Sequence, residues 1–345
     1  MHRKWIFDLM IATILCAGSW HGDLIEYGIS AAKGQLRIIF NARPIEKFLA
    51  DNSISDEWKK NVMLIQEIKQ FTVDSLGFSP SDNYSKVYDQ QGKPLLWVVT
   101  GCEEYMLKPK LWWFPVIGRV SYKGFFNREA AEKECEYLEK NGYETRIREV
   151  NAWSTLGWFK DPIMTSMLDD APGDLANLII HELSHKTIYI KNDVEYSENL
   201  ASFIGDKGAR LFLLQKFGPN SDAYHKYISS THDDRQFSSH LICGAARLDS
   251  LYQSATFKNA SEEKKKIDKQ QMIASIVKDA DTLSLFNKQP YLNMLNKHTP
   301  NNAFFVIFMQ YHNQQDDFEE EYQKAGGGNL RNHIYFLINN TPSKN

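Results

Sequence analysis

The sequence predicts an α+β fold, and three observations carry that prediction. Runs rich in aromatic and β-branched residues, the texture of strands, are confined to about residues 84–153. Beyond Pro172 the chain reads as helix almost to its end. Apolar residues at helical spacing also precede the strands, over residues 24–75. Strands and helices that are segregated, not alternating, predict a small β-sheet in the first half and a mainly helical second half.

Composition narrows the function classes. The 345 residues carry 40 Lys+Arg against 43 Asp+Glu, a formal net charge of −3. No basic excess exists to release counterions, so no nucleic acid is expected as a partner. A chain 43% hydrophobic and 24% charged is neither disordered nor built of many membrane spans. All eight Trp lie in the first half, at 5, 20, 58, 97, 112, 113, 153 and 158.

The elements follow in order. Arg3 and Lys4 precede an apolar run over residues 5–20, with Asp8 its only charge and Gly18-Ser19 near its end. Residues 1–20 therefore read as a signal peptide or membrane anchor, with a buried first helix as the alternative. Cys16 is a poor lipidation site, because Leu15 stands where a small residue is expected. Cys102, Cys135 and Cys243 show no metal or redox spacing and read mainly as buried thiols. Residues 21–345 are expected to form one domain of two lobes, about 21–170 and 171–345.

Residues 45–50 read as a helix, Asp51-Asn52-Ser53 as a capping signal, and Trp58, Val62, Ile65 and Ile68 as one face of the next helix. Residues 95–100 and 112–117 are strand-like. Asn127 opens a helix that Asn141-Gly142 stops, and residues 143–153 alternate as a strand with one wet face. Asp161-Pro162 reads as a structural helix start. Residues 261–269 read as a solvated helix face. Ala325 and the three glycines after it form a turn without the Gly-Lys-Ser/Thr of a phosphate loop.

The chemistry lies in residues 174–205. His181-Glu182-Leu183-Ser184-His185 has the HExxH pattern. On a helix the two imidazoles lie one turn apart on one face, so both can reach one metal ion. Glu182 sits about 60° around the cylinder from His185, placed to take a proton from water without ligating the metal. Asp174, after Pro172-Gly173, is expected to cap this helix. Leu175, Ile179 and Leu183 would face the core, and the histidines its border.

A catalytic zinc needs a third protein ligand and one open position. The HExxHxxGxxH arrangement is excluded by Ile188 and Lys191. The other arrangement takes a Glu from a second helix. Glu198, with twelve residues between it and His185, is the preferred ligand, and Glu195 its competitor in the expected turn. Zn2+ is thus the expected cofactor and Glu182 the general base, with the amide of a peptide as the natural substrate. The rival from another class is a zinc-stabilised binding or scaffolding protein without turnover. Side-chain preference and oligomeric state are not encoded in any motif.

Residues 151–162 (NAWSTLGWFKDP), the helix with its two histidines, and Ser197-Glu198-Asn199-Leu200-Ala201 together resemble the bacterial predicted-aminopeptidase family. Residues 112–118, 122–126, 301–303 and Tyr311-His312 extend the resemblance over roughly residues 25–340. That family is similar to the gluzincin peptidases, which implies a zincin-like fold, metal ligands His181, His185 and Glu198, and the base Glu182. It also implies a location in the bacterial cell envelope, periplasmic or held at the membrane by the N-terminal segment.

Against the family pattern, Ser197 replaces Asn, Ser202 replaces the Asp that steadies a zinc histidine in many gluzincins, and Phe304 replaces Arg. The GxMEN pattern that holds a substrate amine in many zinc aminopeptidases is absent, so endopeptidase action is the alternative. Tyr311 is the first candidate for oxyanion donor, ahead of His312 and Tyr196. Asn302 is a candidate substrate ligand, with helix capping as the equal reading. Trp153, with Trp158 and Ser154, is a candidate for the cleft wall.

Overall fold

The computed structural model of the chain describes residues 22–114, 118–150, 160–188, 193–297, 299–311 and 315–340. The first half runs α1 (Gly22–Asn41), β1 (Arg43–Pro44), α2 (Ile45–Leu49) and α3 (Asp56–Asp74). It continues with β2 (Lys86–Tyr88), β3 (Leu96–Glu103), β4 (Trp112–Phe114), β5 (Gly118–Val120) and β6 (Lys123–Phe125). Then come α4 (Arg128–Lys140), β7 (Tyr143–Val150), β8 (Ile163–Met164) and a 3₁₀ turn at Thr165–Asp169.

Helices follow: α5 (Pro172–Thr187), α6 (Val194–Phe217), α7 (Asp222–Gln253), α8 (Ala255–Lys258) and α9 (Glu262–Asp279). The last are α10 (Gln289–Lys297), α11 (Asn302–Tyr311), α12 (Gln315–Gly326) and α13 (Leu330–Asn340). The fold is α+β, as the segregated pattern predicts. The strands form three small sheets: β1-β2-β8, β6-β3-β7 and the hairpin β4-β5. Among the described residues only β2 and β8 pair in parallel.

The largest core gathers Phe48, Val62, Ile65 and Ile68 with Leu175, Ile179, Ile180 and Leu183, and reaches Ile334 near the end. Residues on both sides of position 170 thus share one core. A second cluster joins α7, α9, α10 and α11 through Phe237, Leu241, Ile276, Leu295 and Phe305. A third lies between β3 and α4, at Val99, Ala131, Cys135 and Leu138.

Local expectations fare unevenly. Asn127 caps α4 by accepting from Ala130 N at 3.3 Å, and Gly142 ends the turn after it with φ +81°. The cap of α3 is Ser55, which accepts from Trp58 N at 3.2 Å, and not residues 51–53. Asp51 is engaged elsewhere, by Ser53 and by Arg43 at 2.8 Å, and these bonds hold its carboxyl well below the usual range. β7 has no distinctly wet face; all but Glu149 are half-buried, because α4 and α11 both pack near it. Lys269, expected on a solvated face, is buried and donates to Glu144 Oε1 at 2.6 Å and Glu104 O at 2.5 Å.

Asp161 does not start a helix. It is buried just before β8, its N–H donating to Asn83 Oδ1 and its carboxylate accepting from Asn83 Nδ2, both at 3.2 Å. The leader, Cys16, Trp153, Ser154, Trp158 and His312 lie outside the described residues.

Candidate metal centre

The centre is built on two helices that cross closely. α5 opens with Pro172, whose missing N–H costs nothing in a first turn. Asp174 is not its cap: proline's fixed φ starts the helix earlier, Ala171 takes the cap position, and Asp174 falls in the first turn. Leu175, Ala176, Ile179, Ile180 and Leu183 form the buried stripe. The next face carries His181, Glu182 and His185.

α6 begins at Val194, where the Asp193 side chain accepts from Tyr196 N at 3.0 Å. Ser197 Oγ donates back to Asp193 O at 2.9 Å. The helix therefore starts earlier than the sequence suggests, and Glu195 lies in its first turn. Gly205 lets α6 approach: a Cβ there would lie 2.3 Å from Asn177 Oδ1 and 3.2 Å from His181 Cβ. At Gly208 a Cβ would lie 2.9 Å from Ile180 Cγ2. Any side chain at Gly205 would push against the turn of α5 that holds the first histidine.

Glu198 consequently meets both histidines. His181 Nε2 and His185 Nε2 are 3.3 Å apart, their ring planes crossing at 84°. Glu198 Oε2 lies 3.4 Å from His181 Nε2, and Oε1 lies 3.5 Å from His185 Nε2. Four ligands about 2.0–2.1 Å from a tetrahedral ion stand about 3.3–3.4 Å from one another, so these separations match three corners of such a site. The His185 side chain is 3% exposed, His181 18% and Glu198 30%, which leaves the open side toward Glu198. Among the described residues no other group of three His, Cys, Asp or Glu side chains could hold a metal ion.

Polar groups around the triad fit an ion. Burial alone would raise the Glu198 carboxyl, but hydrogen bonds and charge from His181 and His185 pull it well below the usual range. Burial alone would lower His181, but Glu198 and the charge of Glu182 raise it. A carboxylate held ionised beneath two imidazoles is a donor set for a divalent cation. Glu182 Oε2 is buried beside the triad without a hydrogen-bond partner among the described residues. Such an oxygen is a free acceptor for a proton or a water.

A putative-aminopeptidase model (the family's own description is "Putative aminopeptidase") matches residues 26–337 of the chain. The chain belongs to this family. No curated protein and no solved structure gives a significant match. Within the family's span, His181, His185 and Glu198 converge, and Glu182 stands next to them.

The remaining candidates are placed differently. Asn302 is fully buried: its side-chain amide donates to Glu103 O and Glu104 O, and its Oδ1 accepts from Tyr252 OH, each at 2.9 Å. With both amide protons used on backbone, it joins β3, α7 and α11 and presents no donor to a substrate. The cap of α11 is its neighbour Asn301, which accepts from Phe304 N at 3.0 Å. Phe304 is buried beneath the Arg146 guanidinium, 4.6 Å from its ring centre. Tyr311 closes α11, but its side chain is outside the described residues. Tyr196 packs on Phe318, ring centres 5.2 Å apart.

Sequence reasoning missed Tyr84. It is buried with a left-handed φ of +59°, a strained conformation for a bulky residue. Its N–H donates to Asp161 O at 2.7 Å, and Gln66 Nε2 donates to its carbonyl at 2.9 Å. Burial, and then the Glu182 charge, push its phenol well above the ordinary value, so it stays a proton donor. Lys186, next to His185, donates to Asn83 Oδ1 at 2.7 Å and ties this segment to α5. No motif marks this joint; its partners are a hundred residues apart in the chain.

Proposed function

We propose that the chain is a zinc-dependent peptidase of gluzincin type with a zincin-like fold, acting as an aminopeptidase. The observation that carries this reading is the triangle of His181, His185 and Glu198 donor atoms, 3.3–3.5 Å on each side. Two imidazoles, one carboxylate and an open fourth direction form the donor set of a catalytic zinc. Family membership supports peptide hydrolysis, with the free amino end as the point of attack.

Bound there, zinc would supply Lewis acidity toward a peptide carbonyl and make a water molecule acidic. The chain's own residues supply the rest. Glu182 accepts the proton of the attacking water at Oε2 and delivers it to the departing amine nitrogen. Ser202 Oγ, 3.5 Å from His181 Nδ1, orients that ring from behind, a long contact where a carboxylate would bind more firmly. Tyr311 is the proposed oxyanion donor and Trp153 the proposed cleft wall.

Metal analysis followed by a chelator-sensitive assay on free-amine and N-blocked peptides tests the proposal. One zinc per chain and cleavage of free-amine peptides alone are expected. Cleavage of blocked peptides would make the protein an endopeptidase. Zinc without cleavage of either would favour a binding role, which leaves Glu182 without a purpose.

A further inference from the structure

We propose that α1 lies on an anionic membrane surface, held there by an apolar stripe that the rest of the described fold leaves uncovered. One side of α1 is packed. Tyr27 meets Phe125 and Phe114, Ile38 is buried, and a Cβ on Gly34 would lie 2.3 Å from the Phe126 ring. The opposite side is exposed and apolar: Ile29 is 49% exposed, Leu36 37% and Phe40 79%. At helical spacing these three fall within about 40° of arc and run about 16 Å along the axis. Packing therefore fixes which face of the helix is free.

Charge and chain continuity point to a bilayer as the occupant. Lys33 and Arg37 are exposed and border the stripe in the C-terminal half of α1, as in helices that lie in a headgroup layer. Acids occur on α1 only at Asp23 and Glu26, in its first two turns. The helix starts at Gly22, directly after the apolar run of residues 5–20, so any anchoring of that run delivers α1 to the interface. No helix among the described residues is long and apolar enough to cross a membrane, and α1, with its central cations, is suited to lying flat. The proposal does not depend on the zinc reading.

The test uses the full chain with Cys16→Ser and Cys243→Ser, carrying an environment-sensitive dye on Ala32→Cys beside the stripe. A second sample carries the dye on Tyr137→Cys in α4. Phosphatidylglycerol-rich vesicles should raise the emission at position 32 about threefold and leave position 137 unchanged, because only α1 enters the headgroup layer. Lys33→Glu with Arg37→Glu should abolish that rise while the thermal melt of the protein stays unchanged.

An unchanged signal at position 32 in vesicle-bound protein would overturn the proposal. So would a shielded probe before lipid is added, which would mean that the chain's own apolar segment covers the stripe. A lipid-free signal that grows with protein concentration would instead assign the face to a second copy. Equal rises with phosphatidylcholine would overturn the anionic part.

Discussion

At the scale of single residues, Glu182 and the two histidines differ in what their loss should do. If the proposed mechanism holds, Glu182→Gln keeps size and removes the proton acceptor, so it should retain one zinc while hydrolysis falls by at least about 10²-fold. Metal analysis beside a peptide assay checks this, and an active, zinc-loaded variant would remove the base role. In the proposed site Ser202 would act through His181, whose Nδ1 lies 3.5 Å from its hydroxyl. Ser202→Asp should tighten zinc binding and Ser202→Ala loosen it, by up to about tenfold each, read by competition with a chelator.

Asp170 offers a test by pH. Burial pushes its carboxyl up to about 6, with the charges of Asp174 and Asp169 adding to the effect. The folded chain thus holds this proton more tightly than the unfolded chain does. Stability is greatest below the unfolded pKa, is lost as pH rises toward 6, and stays lower beyond. Asp170→Asn should therefore stabilise at pH 8 and not at pH 3.5. Allowing for its partial exposure and the positive helix end beside it, the gain is about 1 kcal/mol. Thermal melts at the two pH values measure it; an equal gain at both would exclude ionisation as the cause.

At the scale of elements, the crossing of α5 and α6 depends on Gly205. Gly205→Ala sets a methyl against Asn177 and His181, so one helix must move. We expect a loss of about 1–3 kcal/mol together with weaker metal binding, because the clash borders a ligand. The joint at Asn302 is buried and fully hydrogen-bonded. Asn302→Ala strands the Glu103 carbonyl and the Tyr252 hydroxyl, while Glu104 O keeps Lys269, at a cost of about 1–3 kcal/mol. Denaturant unfolding should show that loss, with zinc content unchanged in the folded fraction. These two substitutions separate a joint packed against a candidate ligand from one whose hydrogen bonds involve none of the candidate ligands.

The elements also show where local sequence signals succeed. Asn127 and Gly142 bracket α4 because a cap and a left-handed glycine act over three or four residues. The expected caps at Asp51 and Asp174 fail for one reason: a better local or tertiary claim intervenes. Arg43 and Ser53 take the Asp51 carboxylate, and Pro172 sets the start of α5 before Asp174 can. Lys269 reads as solvated within its own helix, yet β7 brings Glu144 to it from 125 residues away.

At the scale of the whole molecule, the proposed site would tie stability to metal. Ligands from two helices of the largest core bind only when that core is formed, so zinc at 100 times its dissociation constant should add about 2.7 kcal/mol. A chelator should lower the melting temperature, zinc should restore it, and His185→Ala should be insensitive to both. A melt unaffected by chelator in a zinc-loaded protein would show that the ligand helices do not need the ion to hold their crossing.

The sequence by itself determined the α+β pattern and put His181 and His185 on one face of one helix, because helical periodicity fixes angles between residues a few positions apart. Tertiary structure alone decided that Glu198 arrives within 3.5 Å of both imidazoles, that Asn302 is a buried joint, and that Tyr84 is buried in a strained conformation within reach of the Glu182 charge. It also decided which side of α1 is left bare. Those outcomes depend on close approaches between segments far apart in the chain, such as the one Gly205 permits, and no local pattern encodes them.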